Sequence, residues 1–129
     1  MNYLGIINLM PELTESELRQ FIGTTAYHRH WLGAFVLTDG VQYLAEKGEA
    51  HWLIDAIASY QPDTRVKNDP MLQDFQLWEL AVENNSAVLT LLRDTNDPVL
   101  TQEIEYTDFP LSHIKLYLTQ KVLMLPNEY

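Results

Sequence analysis

Cysteine is absent from this chain of 129 residues, and basic residues are scarce. Without cysteine the protein can form neither a disulfide nor a thiolate metal site. The chain has 8 Lys and Arg against 18 Asp and Glu, which gives a formal net charge of −10 at pH 7. Nucleic acids and anionic membranes bind basic surfaces. This charge balance therefore predicts that neither is a direct partner.

Long apolar runs are missing as well. The longest charge-free apolar run covers residues 31–37, whereas a membrane span requires about 18 apolar residues. Residues 1–11 are apolar in character, but they lack the basic start and the small-residue cleavage site of a signal peptide. We therefore predict a cytoplasmic protein, with one domain over residues 1–129 because this length suits a single domain.

Capping residues and apolar spacing predict helices in the first half of the chain. Thr14 begins a capping box before a helix over residues 15–22. A second helix begins at Asp39 and ends at Gly48, and a third runs from residue 49 to about 60.

The second half of the chain changes to the alternating pattern of strands. Residues 61–74 form a long polar connection with two prolines, and residues 75–125 alternate between apolar and polar side chains. Helices followed by consecutive strands are the α+β pattern. We predict N-terminal helices, about 13–61, packed on one face of a C-terminal antiparallel β-meander of four to five strands.

Turn residues separate the predicted strands from one another. The strands are predicted over residues 75–83, 87–93, 99–106, 114–118 and 121–125. Within the third of these strands, alternation places Ile104 and Tyr106 on the inner face.

Several segments of the chain together carry a family resemblance. They are Thr-Asp-Gly-Val at 38–41, Tyr-Leu-Ala at 43–45, Trp-Leu-Ile-Asp-Ala-Ile-Ala-Ser at 52–59, Asp-Phe-Pro at 108–110 and Val-Leu-Met-Leu-Pro-Asn-Glu-Tyr at 122–129. From about Leu13 onward, the chain resembles a family of small bacterial proteins catalogued only as a domain of unknown function. The resemblance implies a compact bacterial protein. It implies no activity, ligand or catalytic residue.

Imidazole and carboxylate groups form the candidate site. His51 and Asp55 are four residues apart on the third predicted helix, so both project from one face. His28 and His30 are two apart, and in an extended segment they point to the same side. The four residues fit a divalent metal site, and His51 with Asp55 fits a general acid/base pair. The alternative is that Asp55 is anchored by backbone amides, Arg29 or His51 and that His28 and His30 lie on the surface.

No motif for nucleotide or dinucleotide binding and no nucleophile elbow is present, so we expect no cofactor except the possible divalent metal. The sequence favours a non-enzymatic protein-binding or regulatory module. Its expected contacts are residues 61–74 and an exposed edge of the final strand, where pairing at 121–125 would also give a homodimer. Two alternatives are a small metal-assisted or acid/base enzyme that uses the His/Asp group, and an acidic mimic of nucleic acid.

Overall fold

A computed structural model describes residues 12–129 of the chain. The elements in chain order are α1 (Glu15–Leu18), β1 (His28–Arg29), β2 (Val36–Leu37), α2 (Asp39–Lys47), α3 (His51–Ser59), α4 (Thr64–Lys67), α5 (Pro70–Asp74), β3 (Phe75–Glu83), β4 (Ser86–Asp94), β5 (Asp97–Ile104), β6 (His113–Thr119), β7 (Val122–Met124) and a 3₁₀ helix (Pro126–Glu128). Within this part of the chain, no helix is long and apolar enough to cross a membrane.

Seven strands of the described residues form one mixed sheet in the order β1-β2-β7-β6-β3-β4-β5. Strands β2 and β7 are parallel, and all other neighbours are antiparallel. The predicted α+β class is confirmed. The predicted antiparallel meander of four to five strands is wrong, because two strands from the first half of the chain extend the sheet.

The final strand is not an exposed edge. Strand β7 lies between β2 and β6, with Val36 opposite Val122 and Thr119 on its other side. The expected pairing surface at 121–125 is therefore already occupied by β2. The sequence did not reveal this pairing, because a strand of two residues has no measurable alternation and its partner is remote in the chain.

Helices α2 and α3 cover one face of the sheet and enclose the core. In β3, Trp78 and Leu80 are buried on this face, and they stand opposite Leu91 and Leu89 of β4. The helices contribute the fully buried side chains Val41, Leu44, Leu53, Ile54 and Ile57. Each such side chain contributes roughly 1.5–3 kcal/mol through burial, so the packing of these helices on the sheet stabilises the fold.

Residues with positive φ form two of the hairpin turns. Asn84 and Asn85 have φ of 55° and 62° between β3 and β4, and Gln120 and Lys121 have φ of 51° and 62° between β6 and β7. Such two-residue turns match the right-handed twist of the strands. The predicted hairpins are confirmed, but the second turn lies at 120–121 and not at 119–120, between the predicted strand ends.

Residues 61–74 are predicted to form a polar connection without helices, but in the structure they contain α4 and α5. Asp63 accepts a hydrogen bond from the backbone of Arg65, and Asp69 accepts bonds from two backbone amides at the start of α5. Pro70 occupies the first turn of α5, where a missing N–H does no harm. Pro62 thus precedes α4 and Pro70 begins α5, within the segment that the sequence predicts to be a polar connection.

Two finer predictions are also wrong. Helix α1 ends at Leu18 rather than at residue 22, because the backbone bonds of Gln20 and Phe21 reach back three residues instead of four. The β5 strand ends at Ile104, so Tyr106 escapes the alternation and is 69% exposed.

Glu128 ties the C-terminal end of the chain to the start of α2. Its Oε1 accepts hydrogen bonds from Thr38 Oγ1 at 2.6 Å and from the Leu125 backbone at 2.9 Å, and its Oε2 accepts one from the Gly40 backbone at 3.0 Å. Carboxylates are favoured at a helix N-terminus, where backbone N–H groups lack intrahelical partners. We call this set of contacts the Glu128 clasp.

Candidate functional site

Residues 24–33 follow α1, include β1 and carry two of the predicted site histidines. We call them the 24–33 segment. Its first part is bound by Asp39, in the first turn of α2, whose Oδ2 accepts from the backbone N and the hydroxyl of Thr25 at 3.0 Å each. Thr24 Oγ1 in turn accepts from the Asp39 backbone at 2.9 Å. These bonds attach the segment to the start of a helix.

His28 reaches the same carboxylate. Its Nε2 lies 2.8 Å from Asp39 Oδ1. The hydrogen bonds from the Thr25 backbone and from His28 hold the pKa of Asp39 well below its usual range. Asp39 is therefore ionised at neutral pH and serves as an anchor for the segment.

A second anchor lies at the other end of the segment. His30 Nε2 and Trp31 Nε1 both lie 2.8 Å from Asp55 Oδ1 on α3. The His30 ring is 6% exposed and packs 5.5 Å, centroid to centroid, from the ring of Phe35. Histidine, tryptophan and carboxylate thus form one unit, which we call the Asp55 triad.

The hydrogen bonds also assign the His30 tautomer. The Leu32 backbone donates to His30 Nδ1 at 3.2 Å, so Nδ1 is an acceptor. In the neutral ring the hydrogen then resides on Nε2, which donates to Asp55. Both nitrogens of His30 are engaged, and neither offers a lone pair to a substrate.

Partial burial and hydrogen bonding act in opposite directions on Asp55. Burial raises the pKa of its carboxyl group, whereas the bonds from Trp31 and His30 lower it, and the net result is a pKa below the usual value. Nearby His51 adds a smaller electrostatic contribution in the same downward direction. Asp55 is therefore an ionised acceptor at neutral pH, which is unsuited to proton donation.

The four predicted site residues do not meet as one group. His28 pairs with Asp39, and His30 pairs with Asp55. His51 is exposed at the start of α3, and among the described hydrogen bonds none joins it to Asp55. Within residues 12–129, no three His, Asp or Glu side chains converge as a metal ion requires. Metal binding and acid/base chemistry at these residues stay predictions.

The sequence did not predict the role of Trp31. Its indole N–H is bound to Asp55, yet the side chain is 75% exposed. Tyr27 and Leu32 of the same segment are exposed large apolar side chains too. The usable signal was Asp55 itself, a carboxylate within an apolar helix that required donors from elsewhere. The 24–33 segment is therefore anchored by hydrogen bonds to Asp39 and Asp55 and exposes apolar side chains to solvent.

A family of unknown function (DUF6876) matches residues 12–129. The chain belongs to this family. No curated protein and no solved structure matches the chain significantly. The match confirms the resemblance read from the sequence, and it assigns no activity.

Two segments that carried the resemblance meet in this DUF6876 chain. Residues 38–41 hold two donors of the Glu128 clasp, Thr38 and Gly40, and residues 122–129 hold the acceptor Glu128 and the third donor, Leu125. A Cβ atom on Gly40 would lie 2.7 Å from Glu128 Oε1, so any other residue here would displace the carboxylate from its present position.

Proposed function

We propose that this protein is a non-enzymatic protein-binding module and that Trp31 is the centre of its contact surface. The observation that carries the proposal is a tryptophan 75% exposed to solvent whose N–H is nevertheless held 2.8 Å from Asp55. Tryptophan is enriched among the residues that dominate binding energy at protein interfaces. The partner is expected to be a folded protein with an apolar pocket for the indole.

Preorganisation of the 24–33 segment supports the proposal. Asp39 and Asp55 attach the segment to two different helices through carboxylates whose pKa lies below the usual value. A surface that is ordered before binding loses less conformational entropy when the complex forms. Trp31 and its exposed neighbours Tyr27 and Leu32 are thus presented by a segment with fixed ends.

Binding is favoured over acid/base catalysis at the same residues. A general base needs a free lone pair within reach of its substrate. His30 uses Nδ1 to accept from Leu32 and Nε2 to donate to Asp55. The arrangement suits a structural anchor better than a proton acceptor.

The placement of several carboxylates favours binding over nucleic-acid mimicry. A mimic needs acidic groups free to contact its target. Here Glu17 accepts from Tyr43, Asp63 from Arg65, and Asp69 from Arg93. Much of the acidic charge therefore has partners inside the protein.

The Trp31 surface is also preferred to the outer edge of the sheet. Strand β5 is an edge, but Pro98 cannot donate to another strand and Glu103 places a charge there. A bulge at Leu91 and Leu92 interrupts the neighbouring register. These are features by which edges avoid pairing. Homodimer formation through a sheet edge therefore has less support and stays a prediction. The bacterial origin and the cytoplasmic location also stay predictions.

A crosslinking experiment tests the proposal. A photoreactive amino acid replaces Leu32, the exposed neighbour of Trp31, in one variant and Tyr106 in another, since Tyr106 is an exposed aromatic outside the 24–33 segment. Both proteins are expressed in the native host and irradiated, and the crosslinked species are identified by mass spectrometry. We expect one protein to crosslink at position 32 and not at position 106.

Competition completes the design. Excess wild-type protein and excess Y106A should suppress the crosslink at position 32, whereas excess W31A should not. The proposal is wrong if both positions crosslink the same mixture of proteins, or if W31A competes as well as wild type.

A further inference from the structure

Half of the basic residues have no carboxylate partner. Of the 8 Lys and Arg, four form ion pairs with Asp or Glu. Across residues 12–129 the four that form none are Arg29, Lys47, Lys67 and Lys121. Residues 1–11 contain no Asp or Glu that would pair with them. Lys and Arg side chains without a carboxylate partner are unexpected in a chain that has 18 Asp and Glu against 8 Lys and Arg.

Three of these four bases gather in one place. Lys67 at the end of α4 and Lys121 in the β6–β7 turn line one cleft of about 370 Å³. Arg29 and Lys121 line an adjoining depression that shares Gly33 and Ala34 with the cleft. Neither lining contains an Asp or Glu. The cleft is therefore a locally positive site on a protein whose net charge is −10.

Amide groups complete the polar wall of the cleft. The lining includes the four glutamines Gln61, Gln73, Gln76 and Gln120. Gln61 and Gln76 bond each other reciprocally at 3.0 and 2.9 Å, and Trp78 Nε1 donates to Gln76 Oε1 at 2.9 Å. This network holds two of the amides in one orientation. Leu72 and Leu118 supply apolar contacts beside them.

The remaining amides have unused hydrogen-bonding capacity. Gln73 uses one amide hydrogen, which it donates to the Val66 carbonyl at 3.0 Å. Among the described residues, the side chain of Gln120 makes no hydrogen bond. Together with the two ammonium groups, these amides can donate to an acceptor in the cleft.

We propose that this cleft binds a small organic anion that carries a phosphate or carboxylate group. Lys67 and Lys121 would neutralise the anionic group, and the glutamine amides would bond the uncharged part of the molecule. The volume lies near the lower end of the range for small-molecule sites, roughly 300–1,000 Å³. The proposal does not depend on the protein-binding function, since it concerns different side chains.

The glutamine side chains provide a direct test by nuclear magnetic resonance. The chain has seven glutamines, of which Gln20, Gln42 and Gln102 do not line the cleft and serve as internal controls. Inorganic phosphate, pyrophosphate and succinate are titrated separately at constant ionic strength, with glycerol as the neutral control. We expect at least one anion to shift the side-chain amide signals of the cleft glutamines saturably while the controls stay in place.

Two substitution variants decide whether the lysines bind the anion. Lys67 and Lys121 are exposed, so the double variant K67Q/K121Q should fold normally. It should raise the Kd of the anion at least tenfold, whereas K47Q, at an unpaired lysine outside the cleft, should change it less than twofold. The proposal fails if no anion gives a saturable shift, if all seven glutamines shift alike, or if the double variant binds within twofold of wild type.

Discussion

Replacement of Gly40 by alanine is expected to destabilise this protein, although alanine is the better helix former. Gly40 lies in the first turn of α2 and donates its N–H to Glu128 Oε2 at 3.0 Å. An added Cβ atom would lie 2.6 Å from Leu125 Cδ1 and 2.7 Å from Glu128 Oε1. Such distances are below van der Waals contact, so the carboxylate must move. The Glu128 clasp would then lose its geometry.

The expected change in the free energy of unfolding combines one stabilising and two destabilising contributions. Alanine gains at most about 1 kcal/mol of helix propensity over glycine. Overpacking a tight site costs roughly 1–3 kcal/mol, and each hydrogen bond to a charged group is worth about 1.5–3 kcal/mol. With one bond of the clasp lost, we expect a net destabilisation of about 3 kcal/mol. For a domain of this size that lowers Tm by roughly 10 °C.

Thermal and urea unfolding of a double-mutant cycle measure the effect. The second substitution is Glu128→Ala, which removes the carboxylate that collides with the new Cβ atom. In that background Gly40→Ala should destabilise less, by at least about 1 kcal/mol, because residues in contact are coupled. An unchanged or raised Tm for G40A in the wild-type background, or strict additivity in the cycle, would refute this account of the clasp.

Three further predictions concern the 24–33 segment. The folded pKa of Asp39 lies below its unfolded value of about 3.9. The Asp39 carboxylate therefore stabilises the fold above that pH, and this stabilisation is lost as the pH falls through the folded pKa. D39N should accordingly show a smaller drop in Tm than wild type between pH 5 and pH 2. His30→Ala should lower the free energy of unfolding by about 3 kcal/mol, since a buried ring and two hydrogen bonds are lost, and half-exposed His28→Ala by clearly less in the same urea titration. Trp31→Ala should change it by less than about 1 kcal/mol because the side chain is exposed, and a larger loss would show that the indole is structural.

Local features of the fold were accessible from the sequence. The capping box of Thr14 and Glu17 is present, with the Glu17 backbone donating to Thr14 Oγ1 at 3.2 Å. Helix α2 ends at Lys47 before Gly48 as predicted, and β3 has its predicted bounds of Phe75–Glu83. Each of these depends on residues a few positions apart, or on alternation along one strand.

The candidate site was only partly accessible. Histidine spacing identified His28, His30 and Asp55 as residues of interest, but their expected partners were wrong. The spacing of His51 and Asp55 on one helix face did not produce a described hydrogen bond, and Asp55 Oδ1 accepts instead from His30 and Trp31 of the 24–33 segment. A residue pair four apart on a helix is thus a possible contact, and the tertiary structure decides whether it forms.

The sequence alone determined the secondary-structure elements with strong local signals, the hairpin turn at 84–85, the presence of a final hairpin near residue 120, and the acidic charge. Tertiary structure alone decided which distant residues meet. Glu128 reaches Gly40 across 88 positions. Lys67 and Lys121 reach one cleft from separate elements. Such contacts depend on how helices pack on a sheet whose order differs from chain order, and no periodicity or cap within a short window records that packing.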